Sequence, residues 1–311
     1  MVLRSSSFVF ALFVSAASFA SFDLVLVSDS AATGPSKIHR YDGDSGVYLG
    51  SFNTSFDSPT GRMTIDAANN RVFVARGTSM SSYNYNTGEL LGSWFGLGTI
   101  GDVAHMTGTN KVLYTTSTLI RQLDTSTGSI STFSNGSGGA LSGLAWNANS
   151  SVAQVYDYSN DIFRTFSSTG TLTSSRSSGF TANLQGHMVL SNGTAIYQTK
   201  TVGTGNFVYW GGAYYSGAGN YSSATTANSV SVTNGFGIAN GHGNALWWGG
   251  TIGGGFSLRR EFSWTAGANQ VIAATQLVNP QDIEVVVAPE PTTFLMFGLG
   301  AAALLKRRRK A

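Results

Sequence analysis

A short motif returns along this chain at an almost constant distance, and that return limits the fold more than any other feature. Its first copy is IHRYDGDSGVYLGSF, Ile38 to Phe52. Later copies start at Met80 (MSSYNYNTGELLGSW), Leu119 (LIRQLDTSTGSISTF) and Asp161 (DIFRTFSSTGTLTSS). The turn glycines Gly46, Gly88, Gly128 and Gly170 lie 42, 40 and 42 residues apart. Each copy is a hairpin: an alternating strand, a polar tetrad ending in Gly, and a second alternating strand. The glycine supplies the positive φ that the turn needs, and the Asp, Asn, Ser or Thr before it can hydrogen-bond the turn backbone. Two more short apolar runs precede each hairpin, so the unit has four strands. A four-stranded unit repeating every 40 residues or so is a propeller blade.

The inner strands are expected at Arg62 (RMTID), Asp102 (DVAHM), Leu141 (LSGLAW), Leu184 (LQGHMVL), Gly235 (GFGIA) and Asp282 (DIEVVV). Second strands follow five of them, at Arg71, Lys111, Val152, Thr194 and Ala245. The sixth second strand stands at the other end of the chain, in DLVLVSDS from Asp23. Pairing Asp282–Val287 with Asp23–Val27 in one shared blade would leave no open edge in the ring. The expectation is an all-β propeller of six four-stranded blades closed by the two terminal strands, with a short C-terminal hydrophobic helix. Counting a degenerate fifth turn near Gly217 and a sixth at Gly267 gives six hairpins. The units after residue 200 are longer and richer in Gly, which leaves five or seven blades open.

The ends of the chain differ from this body. The run FVFALFVSAASFA, Phe8 to Ala20, follows Arg4 and ends in small residues, the order of a secretory signal peptide, with a cut after Ala20. At the other end VAPEP is followed by twelve apolar residues, Phe294 to Leu305, and then Lys306, Arg307, Arg308, Arg309 and Lys310. Twelve residues of helix reach about 18 Å, short of the roughly 30 Å hydrocarbon core, so spanning needs local thinning and snorkelling of the basic side chains. The basic cluster would stay cytoplasmic and the propeller outside. The expected division is residues 1–20 as signal peptide, 21–288 as propeller and 289–311 as tail.

The tail also explains the charge. The formal net charge is +3, with 18 Lys and Arg against 15 Asp and Glu. Six of the basic residues sit at the two ends, leaving a slightly acidic body without the electrostatic footprint of a nucleic-acid binder. With zero Cys, disulfides neither support nor oppose export.

Pro289-Glu290-Pro291, the Gly/Ala-rich apolar segment and the Arg-rich end together resemble the PEP-CTERM sorting signal of Gram-negative bacteria. The resemblance covers about the last 25 residues. It implies export through the secretion machinery and a precursor anchored in the inner membrane. It also implies recognition and removal of the tail by exosortase, then residence at the cell surface or in an exopolysaccharide matrix. The body resembles NHL-like and quinoprotein-like β-propellers in the rhythm of Tyr41 to Gly46 and Leu123 to Gly128. That resemblance implies architecture and carries no catalytic residues.

Several residue groups are candidates for chemistry. Asp42 and Asp44, two apart before Gly46, open like a calcium loop, but no further acid follows to complete it; the plain reading is an Asx turn. His105 and His187 fall on inner strands that line the channel, and Arg62, Asp102, Gln185 and Asp282 begin inner strands at one mouth of it. An enzyme would use His105 as a base oriented by Asp102, or as a metal ligand with His187. Against this, Asp102 and His105 are three apart on a strand and point to opposite faces. Tyr209, Trp210, Tyr214, Tyr215, Trp247 and Trp248 lie in Gly-rich stretches and offer faces for sugar rings, or else fill the space between blades. No nucleophile elbow, zinc-helix or phosphate-loop motif occurs, and no cofactor is expected. Two functions remain: an exported binding or structural module, with exopolysaccharide as partner, or a secreted lactonase-like hydrolase or lyase working in the channel.

Overall fold

The computed structural model describes residues 23–30, 34–56, 61–135, 139–177, 183–189, 195–201, 205–210, 233–240, 246–252, 255–261 and 269–287. These residues form antiparallel sheets arranged in a ring. Blade 1 holds β1 (Asp23–Asp29), β2 (Lys37–Asp42) and β3 (Tyr48–Asn53), and blade 2 holds β4 (Met63–Asp66), β5 (Arg71–Arg76), β6 (Ser79–Asn84) and β7 (Leu90–Trp94). Blade 3 is β8 (Val103–His105), β9 (Lys111–Thr115), β10 (Ile120–Asp124) and β11 (Ile130–Ser134). Blade 4 is β12 (Leu141–Asn147), β13 (Val152–Asp157), β14 (Ile162–Ser167) and β15 (Leu172–Ser177). A three-stranded sheet of β16 (Asn183–Val189), β17 (Ala195–Thr201) and β18 (Gly205–Trp210) comes next. The final blade comprises β19 (Thr233–Asn240), β20 (Leu246–Ile252), β21 (Gly255–Glu261) and β22 (Asn269–Ala273), and β23 (Pro280–Val287) returns to blade 1. The inner strands neighbour one another around the axis in the order β23, β4, β8, β12, β16, β19 and back to β23.

The structure shows five four-stranded blades rather than the six expected. The sheet of β16 to β18 has three strands among the described residues, and the Gly-, Ser- and Tyr-rich stretch after it lacks the polar-tetrad turn of the other units. The turns placed at Gly217 and Gly267 lie outside the described residues, as do the signal-peptide stretch and the C-terminal hydrophobic helix. Among the described residues there is one 3-10 turn, Ala67–Asn69, and no helix long and apolar enough to cross a membrane.

The repeated turn has the mechanism its residues suggest. The Oδ1 atoms of Asp42, Asn84 and Asp124 each accept the N–H groups two and three residues on, at 2.8 to 3.2 Å. The amides of Gly46, Gly88 and Gly128 close the turn on the carbonyls of those same residues, and each glycine sits at a φ between 73° and 79°. Blade 4 shortens the device: Gly170 bonds back to Ser167, whose hydroxyl accepts from Thr169 and Thr171. In all four blades the outer hairpin carries a register shift, which bends the outer strand.

Closure is antiparallel between β1 and β23, with Leu24 opposite Val286, Val25 opposite Val285 and Val27 opposite Ile283. Because β1 lies second from the axis, both its faces are covered. Val25 and Val27 pack with Trp247, Leu258 and Ile283 on one side, and Leu24 and Leu26 with Met63, Val72 and Tyr83 on the other. That is why Leu24 to Val27 reads as an unbroken apolar run. The same layering recurs between blades 2 and 3 and between blades 3 and 4.

Leu26 is fully buried at this closure, whereas Val47 is exposed at the outer rim. Leu26→Ala is expected to cost about 2–5 kcal/mol, and Val47→Ala to stay within about 0.5 kcal/mol. Chemical denaturation of the two variants checks this; equal effects would show that the terminal strands do not close the ring.

Candidate functional site

The inner strands bring a small charged group together at the axis. Asp282 of β23 is 6% exposed. Its Oδ1 accepts the N–H of Ile283 at 2.9 Å and its Oδ2 accepts that of Met63, on the neighbouring β4, at 2.7 Å. Asp102, just before β8, repeats the arrangement: it accepts from Val103 at 2.9 Å and from Leu144 of β12 at 2.7 Å. Between these two steps the Thr64 hydroxyl of β4 accepts the N–H of His105 on β8 at 2.9 Å. One side chain per step therefore stitches β23 to β4, β4 to β8 and β8 to β12. Arg62 reaches Asp282 at 3.7 Å, and the partly buried Glu284 stands two residues further along β23.

Two of these acids, Asp282 and Asp102, feel the charge of Arg62, and Glu284 feels the charges of both. Burial pushes the Asp282 carboxyl up to about 7; the charge of Asp102 adds to this, while Arg62 and the two N–H donors oppose it. Burial likewise raises Asp102 against the pull of Arg62 and its own two donors. Glu284 is raised by burial and by the charges of Asp282 and Asp102. The cluster thus holds a proton near neutral pH. Beside it, Gly61, Arg62, Ala75, Gly101 and Gln281 line a cavity of about 150 Å³, below the usual 300–1,000 Å³ of a small-molecule site.

The structure gathers Arg62, Asp102 and Asp282, but it does not bring Asp102 to His105. His105 is buried between blades 2 and 3, with Nε2 2.9 Å from the Thr109 carbonyl oxygen and 3.8 Å from Asp66 Oδ2, and its ring stacks on Phe73. Asp66 itself is held by Arg71 at 2.7 Å and Asn69 at 2.8 Å. His187 and Gln185 lie on β16, where His187 pairs with Tyr197 of β17. Glu284 escaped the sequence reading because DIEVVV scans as an apolar inner strand; the alternation that puts it on the face of Asp282 was the available signal.

The other candidates divide similarly. Asp42 is occupied by the turn N–H groups described above, and Asp44 Oδ1 accepts from Arg260 Nη1 at 2.9 Å. Among the described residues no group of three His, Cys, Asp or Glu is placed to hold a metal. Trp247 has no exposed surface. Its Nε1 donates to Asp23 Oδ2 at 3.2 Å and its ring lies under the Arg260 guanidinium, which also reaches Asp23 at 3.4 Å. Trp247 therefore staples the final blade to blade 1 and presents no face to a sugar. Trp248 follows it on β20, while Tyr209 and Trp210 pair with Tyr197 and Ile196 across β17 and β18. Tyr214 and Tyr215 lie outside the described residues.

Comparison with known proteins bears on both parts of the chain. Residues 287–310 match the family described as the PEP-CTERM protein-sorting motif. The match begins on the last residue of β23 and contains Pro289, Glu290, Pro291, Arg307, Arg308 and Arg309. No curated protein sequence matches the chain. Among solved structures, TolB from Acinetobacter baumannii is similar at a TM-score of 0.62 and 12% identity, over 86% of this chain and 67% of that one. A chain from the crystal structure of a nidogen/laminin complex is similar at 0.58 and 10% identity, over 86% of this chain and 99% of that one. The body is thus a β-propeller with TolB-like structural neighbours, and the chain carries an exosortase recognition signal that marks it for export and sorting to the cell surface. At these identities the likeness shows fold alone.

The raised Asp282 carboxyl sets a pH dependence. Between the ordinary carboxylate value of about 4 and about 7 the unfolded chain has lost this proton while the folded chain keeps it, so stability falls as pH rises through that window. Asp29 and Asp66 act in the opposite sense at lower pH. Burial pushes both up, yet His39 with the N–H groups of Val278 and Asn279 holds Asp29 below its ordinary value, and Asn69 with Arg71 does the same for Asp66. Thermal midpoints measured from pH 8 to pH 5 are expected to rise on acidification, and Asp282→Asn is expected to flatten that slope. An unchanged slope in the variant would contradict the assignment.

Proposed function

We propose that this protein is an exported, non-enzymatic propeller that acts as a binding or structural module of the cell envelope or extracellular matrix, with exopolysaccharide as its partner. The observation that carries the reading is the junction of fold and tail. The closing strand ends at Val287, opposite Asp23, and the sorting motif starts at that same residue. Removal of residues 289–311 would leave the ring whole. A leader cut after Ala20 would likewise leave β1 intact, and both ends would depart from one corner of blade 1. In this reading residues 1–20 are the signal peptide, 21–288 the propeller and 289–311 the tail, anchored in the inner membrane until exosortase acts.

The channel supports binding over catalysis. Asp102 and Asp282 have their carboxylates turned to backbone N–H groups of neighbouring blades, and His105 is held by Thr109 and stacked on Phe73. The alternative, a lactonase-like hydrolase or lyase, draws on one feature, the proton-holding trio of Asp102, Asp282 and Glu284.

A thermal-shift series on the full chain separates the readings. A ligand at about 100 times its dissociation constant adds about 2.7 kcal/mol to the folded state. Polysaccharide fragments are expected to raise the midpoint, while calcium and common lactones leave it unchanged. A shift with lactones, together with their turnover, would overturn the binding reading. The sorting step has its own test: replacing Pro289 and Pro291 by Ala is expected to leave the tail uncut in cells, read as retained mass, and normal processing would contradict it.

A further inference from the structure

Away from the axis, Arg121 differs from the arginines that pair with acids; Arg40, which also reaches no carboxylate among the described residues, donates to the Asn86 carbonyl and lies over the Phe52 ring. Arg62, Arg71, Arg164 and Arg260 each reach a carboxylate. Arg121 of β10 reaches none among the described residues. It pairs across the ladder with Tyr114 of β9 and shares the face that packs against blade 2; burial raises the pKa of that tyrosine, and the charge and side-chain donors of Arg121 oppose the rise. Its Nε is buried and has no hydrogen-bond partner. A half-buried guanidinium without a counter-charge is a costly arrangement for stability alone.

Arg121 is also the one charged residue lining a cavity of about 380 Å³ between blades 2 and 3. The loop from Gly96 to Thr99 forms one wall, and Thr116, Ser117 and Arg121 form the other. The loop is held in place: Leu97 N–H bonds to Thr78 O at 2.9 Å and Ile100 N–H to Gly77 O at 2.7 Å, with Gly96 and Gly98 at φ of 71° and 78°. A Cβ on Gly96 would meet nothing within 4 Å, so the wall is open on that side. The hydroxyls of Thr99 and Ser117 make no hydrogen bond among the described residues. Phe95, immediately before the loop, is 72% exposed, more than any other large hydrophobic side chain among the described residues.

We infer that this cleft between blades 2 and 3 is a binding site for an acidic sugar, a uronic acid unit of a polysaccharide. The Arg121 guanidinium would take the sugar carboxylate, the Thr99 and Ser117 hydroxyls the ring hydroxyls, and Phe95 at the rim a face of the neighbouring ring. A cavity of this size falls within the range for a small ligand, and an arginine fork suits a carboxylate better than a point charge does. The inference rests on the glycan-binding reading and names the class of glycan and the place where it binds.

Calorimetric titration of the full chain with trigalacturonate, its methyl-esterified form, a neutral trisaccharide and inorganic sulfate tests the assignment. Trigalacturonate is expected to bind at least about tenfold more tightly than the ester or sulfate, because the charge-assisted bonds go with the carboxylate. Arg121→Gln is expected to lose about tenfold or more in affinity, Arg121→Lys to keep part of it, and Phe95→Ala to lose several-fold, with thermal midpoints near the parent value. Unchanged affinity in Arg121→Gln would overturn the site, as would equal binding of ester and acid. Sulfate binding as tightly as the sugar would reduce it to an anion site. A chain that binds the neutral trisaccharide and ignores trigalacturonate would sink this inference while sparing the binding-module reading, whereas binding of no glycan at all would sink both.

Discussion

The structure depends on the pairing of two strands from opposite ends of the chain. β1 needs β23 because its inner edge would otherwise expose a row of unpaired backbone groups, and because Leu24, Val25, Leu26 and Val27 can be covered on both faces only in a closed ring. β23 in turn supplies Asp282, whose carboxylate reaches the next inner strand. With zero Cys the ring has no covalent clasp. Closure rests on packing, ladder bonds and a few charged staples at the same seam.

Those staples also bear on function. Charged residues make up 11% of the chain, and many in the described region are committed to holding blades together. Arg260 gathers Asp23, Asp44 and the Trp247 ring where the final blade meets blade 1. Asp29 takes His39 at 3.3 Å together with the N–H groups of Val278 and Asn279, tying β1 to the loop that leads into β23. Removing one partner of such a buried pair leaves the other uncompensated, at about 3–5 kcal/mol. Arg121, by contrast, reaches no carboxylate among the described residues and stands at the rim of an open cleft.

The blades could be read from the sequence because the first four units repeat a Gly-terminated polar turn, three capped by Asx and the fourth, shorter one by Ser167, and turn residues act locally. Asp42, Asn84 and Asp124 need only their own next three residues. Inner strands were equally accessible, and so was the terminal closure, since one unit lacked a second strand and the other end offered one. What escaped depends on packing between blades. Trp247 scans as an aromatic of a second strand in a Gly-rich stretch, open to a sugar or to the space between blades, and only the fold shows that Asp23 and Arg260 enclose it. His105 finds Asp66, 39 residues away on the adjacent blade, in preference to nearby Asp102. Glu284 and Arg121 each look like one of the polar residues that alternate along an ordinary strand. The fourth strand after β18 was inferred by counting, in a stretch without the turn that made counting sound elsewhere.

Amide hydrogen exchange followed by mass spectrometry tests the closure most directly. The account predicts that peptides covering Leu24–Val27 and Ile283–Val286 exchange as slowly as the central strands β5 and β13, and lose protection together with them as denaturant is added. Rapid exchange confined to the two terminal strands, with β5 and β13 still protected, would show a ring that stands open and would contradict the account.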